Sequence, residues 1–288
     1  MIDFDNRVVL LTGAAQGLGL AYARTIAKRG GIVLLQDIGA DRDGKGEDPE
    51  LVHRTSESLR SDGLNAMALT GRIETKEQCR SLIAEAIDKA GRLDAIIHNA
   101  GWVAYQEIED VTESDFERMM NVAAKAGLWL TQAAWPHMKA AKFGRIVLTT
   151  SDRAIYSQYV QDGLASYAAA KMAVVGLVNV LSSEGQPHGI MVNAISPVAK
   201  TRMWGVEGEP DELHPAEVAP GVTYLVSKAC QANGWILRAS NGQFHATKQV
   251  EAKDVDYPRN LRGIEASTVE DVAANWSRIA VSTVEPRS

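Results

Sequence analysis

The sequence has few cysteines and no excess of basic residues. Only two cysteines, Cys79 and Cys230, occur among 288 residues, and neither lies in a metal-binding or redox motif. Unpaired thiols are typical of a reducing compartment, so we expect a cytoplasmic protein without disulfides and without a bound metal. A formal net charge of −6 argues against nucleic acid or an anionic membrane as the main partner.

Long apolar runs and a leader segment are also missing. No stretch approaches the roughly 20 apolar residues that span a bilayer. Residues 1–6 lack the basic segment followed by an apolar one that marks a signal peptide. The hydrophobic content of 45% is enough for one large core. We therefore expect one α/β domain over residues 1–240, followed by a packed C-terminal extension over residues 241–288.

Strand and helix patterns alternate along the chain. Apolar runs rich in β-branched residues predict strands at 7–12, 31–36, 65–69, 93–98, 144–150, 190–195 and 235–238. Helical spacing is clearest at 17–29, 75–90, 113–139 and 165–185. Such alternation implies parallel strands with right-handed crossovers, which predicts a Rossmann-type doubly wound parallel sheet with helices on both faces.

The first strand runs directly into a glycine-rich turn, Thr12-Gly-Ala-Ala-Gln-Gly-Leu-Gly19, and then into a helical segment. In that order, glycines let the backbone approach a pyrophosphate, and the helix N-terminus presents free N–H groups to it. The turn therefore predicts a dinucleotide site at Gly13, Gln16, Gly17, Leu18 and Gly19. An ordinary glycine-rich turn without a ligand is the alternative interpretation.

The second strand ends at an acidic residue, Asp37, 18 residues after Gly19. A carboxylate there can accept hydrogen bonds from an adenosine ribose and would repel a 2′-phosphate. Gln16 adds no positive charge, so the sequence favours NAD over NADP. The polar, glycine-rich run 39–49 that follows predicts a surface loop, which could fold over the adenosine or be a plain insertion.

A tyrosine and a lysine, Tyr167 and Lys171, are spaced one turn apart in an alanine-rich helix. Residues i and i+4 share one face of a helix. A nearby cation favours phenolate over phenol, so we expect the pKa of Tyr167 to fall below its ordinary value of about 10. The phenol is then a candidate general acid or base. The same spacing also arises by chance in helices that carry no chemistry.

These elements together resemble the short-chain dehydrogenase/reductase family. Its nucleotide motif corresponds to the glycine-rich turn, its Asn-Asn-Ala-Gly element to His98-Asn-Ala-Gly101, its catalytic serine to Ser151, and its catalytic pair to Tyr167 and Lys171. Segments 134–139, 199–203, 233–234 and 271–276 further resemble one branch of that family. This branch comprises the hydroxyacyl-CoA dehydrogenase domains of peroxisomal multifunctional enzymes type 2 and their bacterial stand-alone relatives.

The resemblance implies an NAD-dependent oxidoreductase that interconverts a secondary alcohol and a ketone, acting on a 3-hydroxyacyl-CoA or a hydroxysteroid. Ser151 would hold the substrate oxygen, Tyr167 would take the alcohol proton, and Lys171 would lower the tyrosine pKa while bonding the nicotinamide ribose. A serine that only caps the strand end is the alternative at Ser151. The resemblance also implies a homodimer or homotetramer. Further cofactor contacts would come from Ile73, Asn99, Ala100, Gly101, Pro197, Val198 and Thr201.

Three departures from the family pattern bear on the site. Ser151 lies 16 residues before Tyr167 rather than the usual 13 or so, which predicts an insertion over 159–165 beside the substrate mouth. Ser157 is a poorer candidate because it falls beyond the strand.

The second departure is that the helix asparagine of the family corresponds to Ala123. Asn121 lies roughly 200° away around the helix, so its role is not transferred. This gap favours, to a small degree, a non-catalytic NAD-binding subunit that partners an active homologue.

The third departure concerns two residues beside the cofactor. Arg72 stands where an acidic or amide residue usually meets the adenine, so the backbone of Ile73 could bond there and Arg72 could stack. His98 replaces the first asparagine of its motif, and we expect a packed core histidine without chemistry.

Large apolar side chains follow several strands, where such sheets bind ligands. They predict a bulky hydrophobic substrate, although packing beneath a lid would explain them too. These residues are Trp102, Tyr105, Tyr159, Met203 and Trp204. Arg153, Lys200 and Arg202 could meet CoA phosphates or be ordinary surface residues.

Overall fold

The computed structural model describes residues 1–206, 208, 210–251, 253 and 255–280. The strands are β1 (Val8–Thr12), β2 (Ile32–Gln36), β3 (Ala66–Leu69), β4 (Ala95–His98), β5 (Gly144–Thr149), β6 (Ile190–Val198), β7 (Ile236–Ser240) and β8 (Gln243–Thr247). The helices are α1 (Gly17–Ala27), α2 (Pro49–Ser61), α3 (Lys76–Ala90), α4 (Glu113–Met120), α5 (Ala126–Ala141), α6 (Asp152–Ile155), α7 (Ala165–Gly185), α8 (Pro215–Val226), α9 (Val269–Ala274) and α10 (Trp276–Ile279).

The eight strands form one sheet in the order β3-β2-β1-β4-β5-β6-β7-β8. All neighbouring pairs are parallel except β7 and β8, which pair antiparallel. The strand order reverses between β1 and β4, and this switch point is where open α/β sheets bind ligands. The predicted doubly wound parallel sheet is therefore confirmed.

Helices cover both faces because successive strand side chains point to opposite sides. Val8 and Leu10 of β1 lie in the core beneath α3, α5 and α7, whereas Val9 and Leu11 lie in the core beneath α1, α2 and α8. All four side chains are fully buried. This two-sided burial explains why β1 reads as a continuous apolar run with no polar alternation.

Two elements differ from the sequence prediction. Strand β8 was not predicted, because an edge strand with the exposed sequence Gln243-Phe-His-Ala-Thr247 lacks an apolar face of its own. The predicted helix 113–139 is interrupted by a π-helical turn over Asn121–Lys125, which separates α4 from α5. π turns of this kind often occur next to functional sites.

The helix predicted at 165–185 is α7, with the same limits, and it is strongly apolar. α7 with the turn after it, Ala165–His188, has a mean hydropathy of 1.4 over its most apolar window, enough on length and composition to cross a membrane. Its inward side chains Ala170, Val174 and Val178 instead lie in the core against the sheet. Burial by the sheet gives this helix a structural role that requires no lipid.

The chain divides into two compact units, Met1–Lys248 and Gln249–Ser288. The predicted boundary after residue 240 falls before β8, which pairs with β7 and so belongs to the first unit. Within the described part of the second unit, Thr268 caps α9 by accepting a hydrogen bond from the backbone N–H of Asp271. The packing predicted for this extension stays a prediction.

Candidate active site

A cleft of about 470 Å³ opens where β1, β2 and β4 end. Ten of the predicted cofactor residues line it, so residues far apart in sequence converge at the switch point of the sheet. They are Gly13, Gln16, Gly17, Leu18, Asp37, Ile73, Asn99, Ala100, Gly101 and Thr201.

The start of α1 has the properties that a pyrophosphate requires. The N-cap residue Gln16 makes no side-chain capping bond, which leaves the first-turn N–H groups without that partner. Gly13 has a φ of 63°, and a Cβ there would lie 2.8 Å from the Cα of Ala100. Close backbone approach and free N–H donors suit a dinucleotide phosphate.

Gly19 lies elsewhere than predicted. It does not line the cleft, and a Cβ on it would overlap the carbonyl oxygen of Gly13. Its place is the tight contact between α1 and the glycine-rich turn, so the structure assigns it a packing role rather than direct cofactor contact.

The Asp37 carboxylate is fixed at the rim of the same cleft. Its two oxygens accept hydrogen bonds from the backbone N–H groups of Ala15 and Gly39, each at 2.9 Å. The loop after it folds over the cleft, since Ala40, Asp41 and Gly44 line the cavity. Of the two interpretations of run 39–49, the structure therefore favours a cover over the cleft.

That loop is held by an aromatic and a cationic side chain. The guanidinium of Arg118 donates to the carbonyl oxygen of Gly44 and lies 4.6 Å from the ring centroid of Trp102. A Cβ on Gly44 would lie 2.7 Å from the Trp102 ring. Trp102 lines both this cleft and the cavity beside it. No motif in the sequence points to Arg118.

The cations Arg72 and Lys200 at the cleft are already paired. Arg72 forms ion pairs with Glu47 and Glu74, and Lys200 forms ion pairs with Asp211 and Glu212 at 2.9 and 2.8 Å. Neither cation is therefore without a carboxylate partner.

A hydrogen-bonded hub joins β1 to β4 behind the glycines. The Thr12 hydroxyl contacts Nδ1 of His98 at 2.9 Å and accepts from the backbone N–H groups of Asn99 and Ala100. The other His98 nitrogen lies 2.9 Å from the carbonyl oxygen of Val122. Burial, with the charge of Lys171, lowers the pKa of His98 from 6.5 to about 4. It is the packed, neutral histidine that the sequence predicts.

A second cavity of about 580 Å³ adjoins the glycine cleft and contains Ser151, Tyr167 and Lys171. The predicted cofactor residues Pro197, Val198 and Thr201 line it as well. The Lys171 ammonium donates to the carbonyl oxygen of Thr149 at 3.0 Å and lies 5.8 Å from the Tyr167 ring centroid. Three candidate catalytic side chains thus share one wall next to the dinucleotide cleft.

The electrostatics of this trio differ from the sequence prediction. Burial raises the pKa of Tyr167 above 10, and a hydrogen bond with Ser151 and the charge of Arg153 offset only part of that rise. Burial also lowers the pKa of Lys171 to about 8. The expected lowering of the Tyr167 pKa by Lys171 is therefore wrong for this state, because desolvation outweighs the nearby charges.

Ser151 caps a helix and also lines the second cavity. Its hydroxyl caps α6 by accepting from the backbone N–H of Arg153 at 3.3 Å, and its side chain also faces the second cavity. The 159–165 segment reaches the mouth of that cavity through Tyr159, Val160 and Gln161. Ser157 does not line the cavity.

Four of the five large apolar residues predicted for the substrate side line the second cavity: Trp102, Tyr159, Met203 and Trp204. Tyr105 does not, because its hydroxyl contacts Arg153 and Gln161 at the exposed rim. The sequence missed an ion pair in the cavity wall, Asp152 with Arg238 at 2.8 Å. Arg238 also lies 4.7 Å from the Tyr156 ring centroid.

The position of the family's helix asparagine is filled by a buried alanine. Ala123 lies in the core within the π turn, and Asn121 lines neither cavity. Among the described residues, no group of three or more His, Cys, Asp or Glu side chains is arranged to hold a metal ion.

Comparisons with known proteins agree with this geometry. The family model described as short chain dehydrogenase matches residues 7–211. The chain is 34% identical over 286 residues to peroxisomal multifunctional enzyme type 2 of Mus musculus. The aligned region covers 96% of this chain and 37% of that protein. It therefore spans little more than a third of that relative.

A protein of Mycobacterium tuberculosis named as a short-chain type dehydrogenase/reductase is 30% identical over 282 residues, covering 97% of this chain and 96% of its own length. The crystal structure of a short chain dehydrogenase from Mycobacterium avium superposes with a TM-score of 0.81 at 27% identity, covering 96% of this chain and 94% of that one. The fold, the glycine-rich turn and the extent of the matches lead to one conclusion: this chain belongs to the short-chain dehydrogenase family.

Proposed function

We propose that the protein is an NAD-dependent dehydrogenase that interconverts a secondary alcohol and a ketone on a bulky hydrophobic substrate. A 3-hydroxyacyl-CoA is the first choice and a hydroxysteroid the second. The observation that carries the proposal is the presence of Ser151, Tyr167 and Lys171 in one cavity beside the glycine cleft. The likeness to peroxisomal multifunctional enzyme type 2 supports the acyl-CoA choice.

The choice of NAD rests on the charges around the ribose position. Asp37 presents a fixed carboxylate at the cleft, which would repel a 2′-phosphate and accept from a 2′-hydroxyl. Arg72, one of the cations that line the cleft, is engaged by Glu47 and Glu74. A 2′-phosphate would have to displace those carboxylates, whereas a ribose would not.

The mechanism follows from the second cavity. Bound nicotinamide would supply the hydride acceptor. Ser151 would donate a hydrogen bond to the substrate oxygen, and the Tyr167 hydroxyl would exchange the alcohol proton at its Oη. Lys171, anchored on the carbonyl oxygen of Thr149, would hold the ribose and keep a positive charge near the phenol. Trp102 and Met203 would exclude water from the reacting carbon.

The raised pKa of Tyr167 sets a direction-dependent response to pH. At neutral pH the phenol carries its proton, which is the form that donates to a ketone oxygen during reduction. Oxidation requires the phenolate, whose population increases as pH rises toward the phenol pKa. Alcohol oxidation is therefore expected to accelerate toward alkaline pH, and ketone reduction to slow.

The test is to measure NADH absorbance with hydroxyacyl-CoAs, hydroxysteroids and aryl alcohols at alkaline pH. Tyr167→Phe is expected to lower kcat by roughly 10²- to 10⁴-fold while NAD affinity stays within a few-fold. Tyr224→Phe, on the exposed side of α8, is the matched control. Wild-type rates in Tyr167→Phe would remove the proposed acid/base. Silence of the wild type across the whole panel would instead favour a non-catalytic NAD-binding subunit.

Cellular location and assembly are inferred from the thiols and from the outer face of α7. Both thiols, Cys79 and Cys230, are buried and unpaired, as suits a reducing cytoplasm. Met172 and Val180 are exposed on the outer face of α7, as suits association between copies. We therefore keep a cytoplasmic homodimer or homotetramer as the proposal.

A further inference from the structure

The second cavity has an uneven charge. Among the described residues its lining contains three cations, Arg153, Lys171 and Arg238, and a single carboxylate, Asp152. A wholly neutral substrate such as a steroid gains nothing from this excess of positive charge. The three cations differ in whether a carboxylate of the protein neutralises them.

Two of the cations are already satisfied within the protein. Arg238 forms an ion pair with Asp152, whose other oxygen accepts from the Ser196 hydroxyl at 2.8 Å. Lys171 is the buried amine of the proposed catalytic trio and bonds to Thr149. Neither cation therefore requires an anionic group of the substrate as a partner.

Arg153 is the cation of this cavity that has no carboxylate partner among the described residues. Among the described residues no carboxylate lies within 4.0 Å of its guanidinium, which donates one hydrogen bond to the Tyr105 hydroxyl at 2.9 Å. That hydroxyl in turn donates to Gln161 at 2.8 Å, so two loops hold the guanidinium at the cavity mouth. Most of the five N–H donors of an arginine remain for a ligand.

Arg153 also lies close to the reacting position. It follows Ser151 by two residues, and its backbone N–H donates to the Ser151 hydroxyl. Its positive charge offsets part of the rise that burial causes in the pKa of Tyr167. An anion bound here would therefore lie near the alcohol carbon. The phosphates of a CoA, by contrast, are separated from the thioester by the whole pantetheine arm.

We propose that Arg153 is a specificity-determining residue that binds a carboxylate of the substrate near the alcohol carbon. The substrate class is then a hydroxy acid, or a hydroxyacyl thioester with a second, free carboxylate. The guanidinium fork matches the two oxygens of a carboxylate, which supports this ligand over a single neutral acceptor. The inference rests on the proposed dehydrogenase function and narrows its substrate.

The kinetic test compares 3-hydroxy-3-phenylpropanoate with its uncharged primary amide. In the wild type we expect kcat/KM to favour the acid by roughly 10- to 100-fold. Arg153→Met is expected to reduce the ratio of acid to amide kcat/KM to about one, and Arg153→Lys to restore part of the preference. Arg60→Met, an exposed site on α2, is the control and is expected to retain the full preference.

The binding test needs no turnover. Quenching of the cavity tryptophans Trp102 and Trp204 reports the dissociation constants of 3-phenylpropanoate and 3-phenylpropanamide. We expect the acid to bind roughly ten-fold more tightly, less so in high salt, and no better than the amide in Arg153→Met.

The outcomes separate this inference from the proposed function. Equal binding and equal turnover of acid and amide in the wild type would overturn the role of Arg153 and leave the dehydrogenase intact, without recourse to any variant. Acid-selective binding that depends on Arg153, with no turnover of any alcohol, would sustain the carboxylate site and remove the dehydrogenase function.

Discussion

The buried histidine His98 gives a quantitative prediction about stability. A carbonyl oxygen can only accept, so the contact with Val122 places the proton on Nε2, and Nδ1 accepts from the Thr12 hydroxyl. That hydroxyl already accepts from the N–H groups of Asn99 and Ala100. A second proton on the ring would leave Nδ1 facing an oxygen with no free lone pair.

The magnitude follows from the shift in the His98 pKa, from 6.5 to about 4, caused first by burial and then by the charge of Lys171. A lowered histidine pKa means that the folded state binds fewer protons than the unfolded state. Stability is therefore lost as pH falls from the unfolded value through the folded one. Between about pH 7.5 and about pH 5 this one group should remove about 2 kcal/mol of folding free energy.

The assay is urea unfolding of the wild type and His98→Asn at both pH values. Asparagine retains a donor and an acceptor but does not titrate, so the stability difference between the two proteins should change by about 2 kcal/mol in favour of the variant at the lower pH. His53→Asn, at an exposed site on α2, is the control and should run parallel to the wild type. Parallel curves for His98→Asn would refute the neutral buried histidine.

Two further predictions concern carboxylates at opposite ends of the sheet. Asp37→Ala is expected to shift the ratio of kcat/KM from NAD toward NADP by roughly ten-fold, because it removes a fixed negative charge from the ribose position; unchanged discrimination would show that the cofactor preference has another source. Asp94→Asn should lower stability by about 2 kcal/mol in urea unfolding, since this buried carboxylate accepts from Arg7, Arg92 and the backbone of Val8. Asp62→Asn, whose side chain is 52% exposed, is its control, and an equal loss in both variants would contradict the argument.

Local sequence patterns were enough for the central part of the fold. β1, β2, β4 and β5 are buried on both faces, so each reads as an apolar run whose limits the sequence shows to within two residues. β8 is invisible in sequence because its pairing with β7, and not its own pattern, makes it a strand. The π turn at Asn121–Lys125 is likewise hidden, because helical periodicity hardly changes across a single extra residue.

The candidate site divides in the same way. The glycine-rich turn, Asp37 and the Tyr167–Lys171 pair are recognisable because each depends on close spacing along the chain. The cation–π contact of Arg118 with Trp102 and the ion pair of Asp152 with Arg238 join residues far apart in sequence. No sequence motif therefore predicts them. The direction of the Tyr167 pKa also escaped the sequence, because desolvation depends on every element packed around the phenol.

The sequence by itself determined the order of strands and helices along the chain, the glycine-rich turn and the candidate acid/base side chains, since those follow from backbone propensities and short-range geometry. Only the tertiary structure decided which cations of the second cavity have a carboxylate partner within the part of the chain that the structure describes. Burial and ion pairing are properties of the assembled fold. For that reason the role proposed for Arg153 depends on the loops that hold its guanidinium at the cavity mouth.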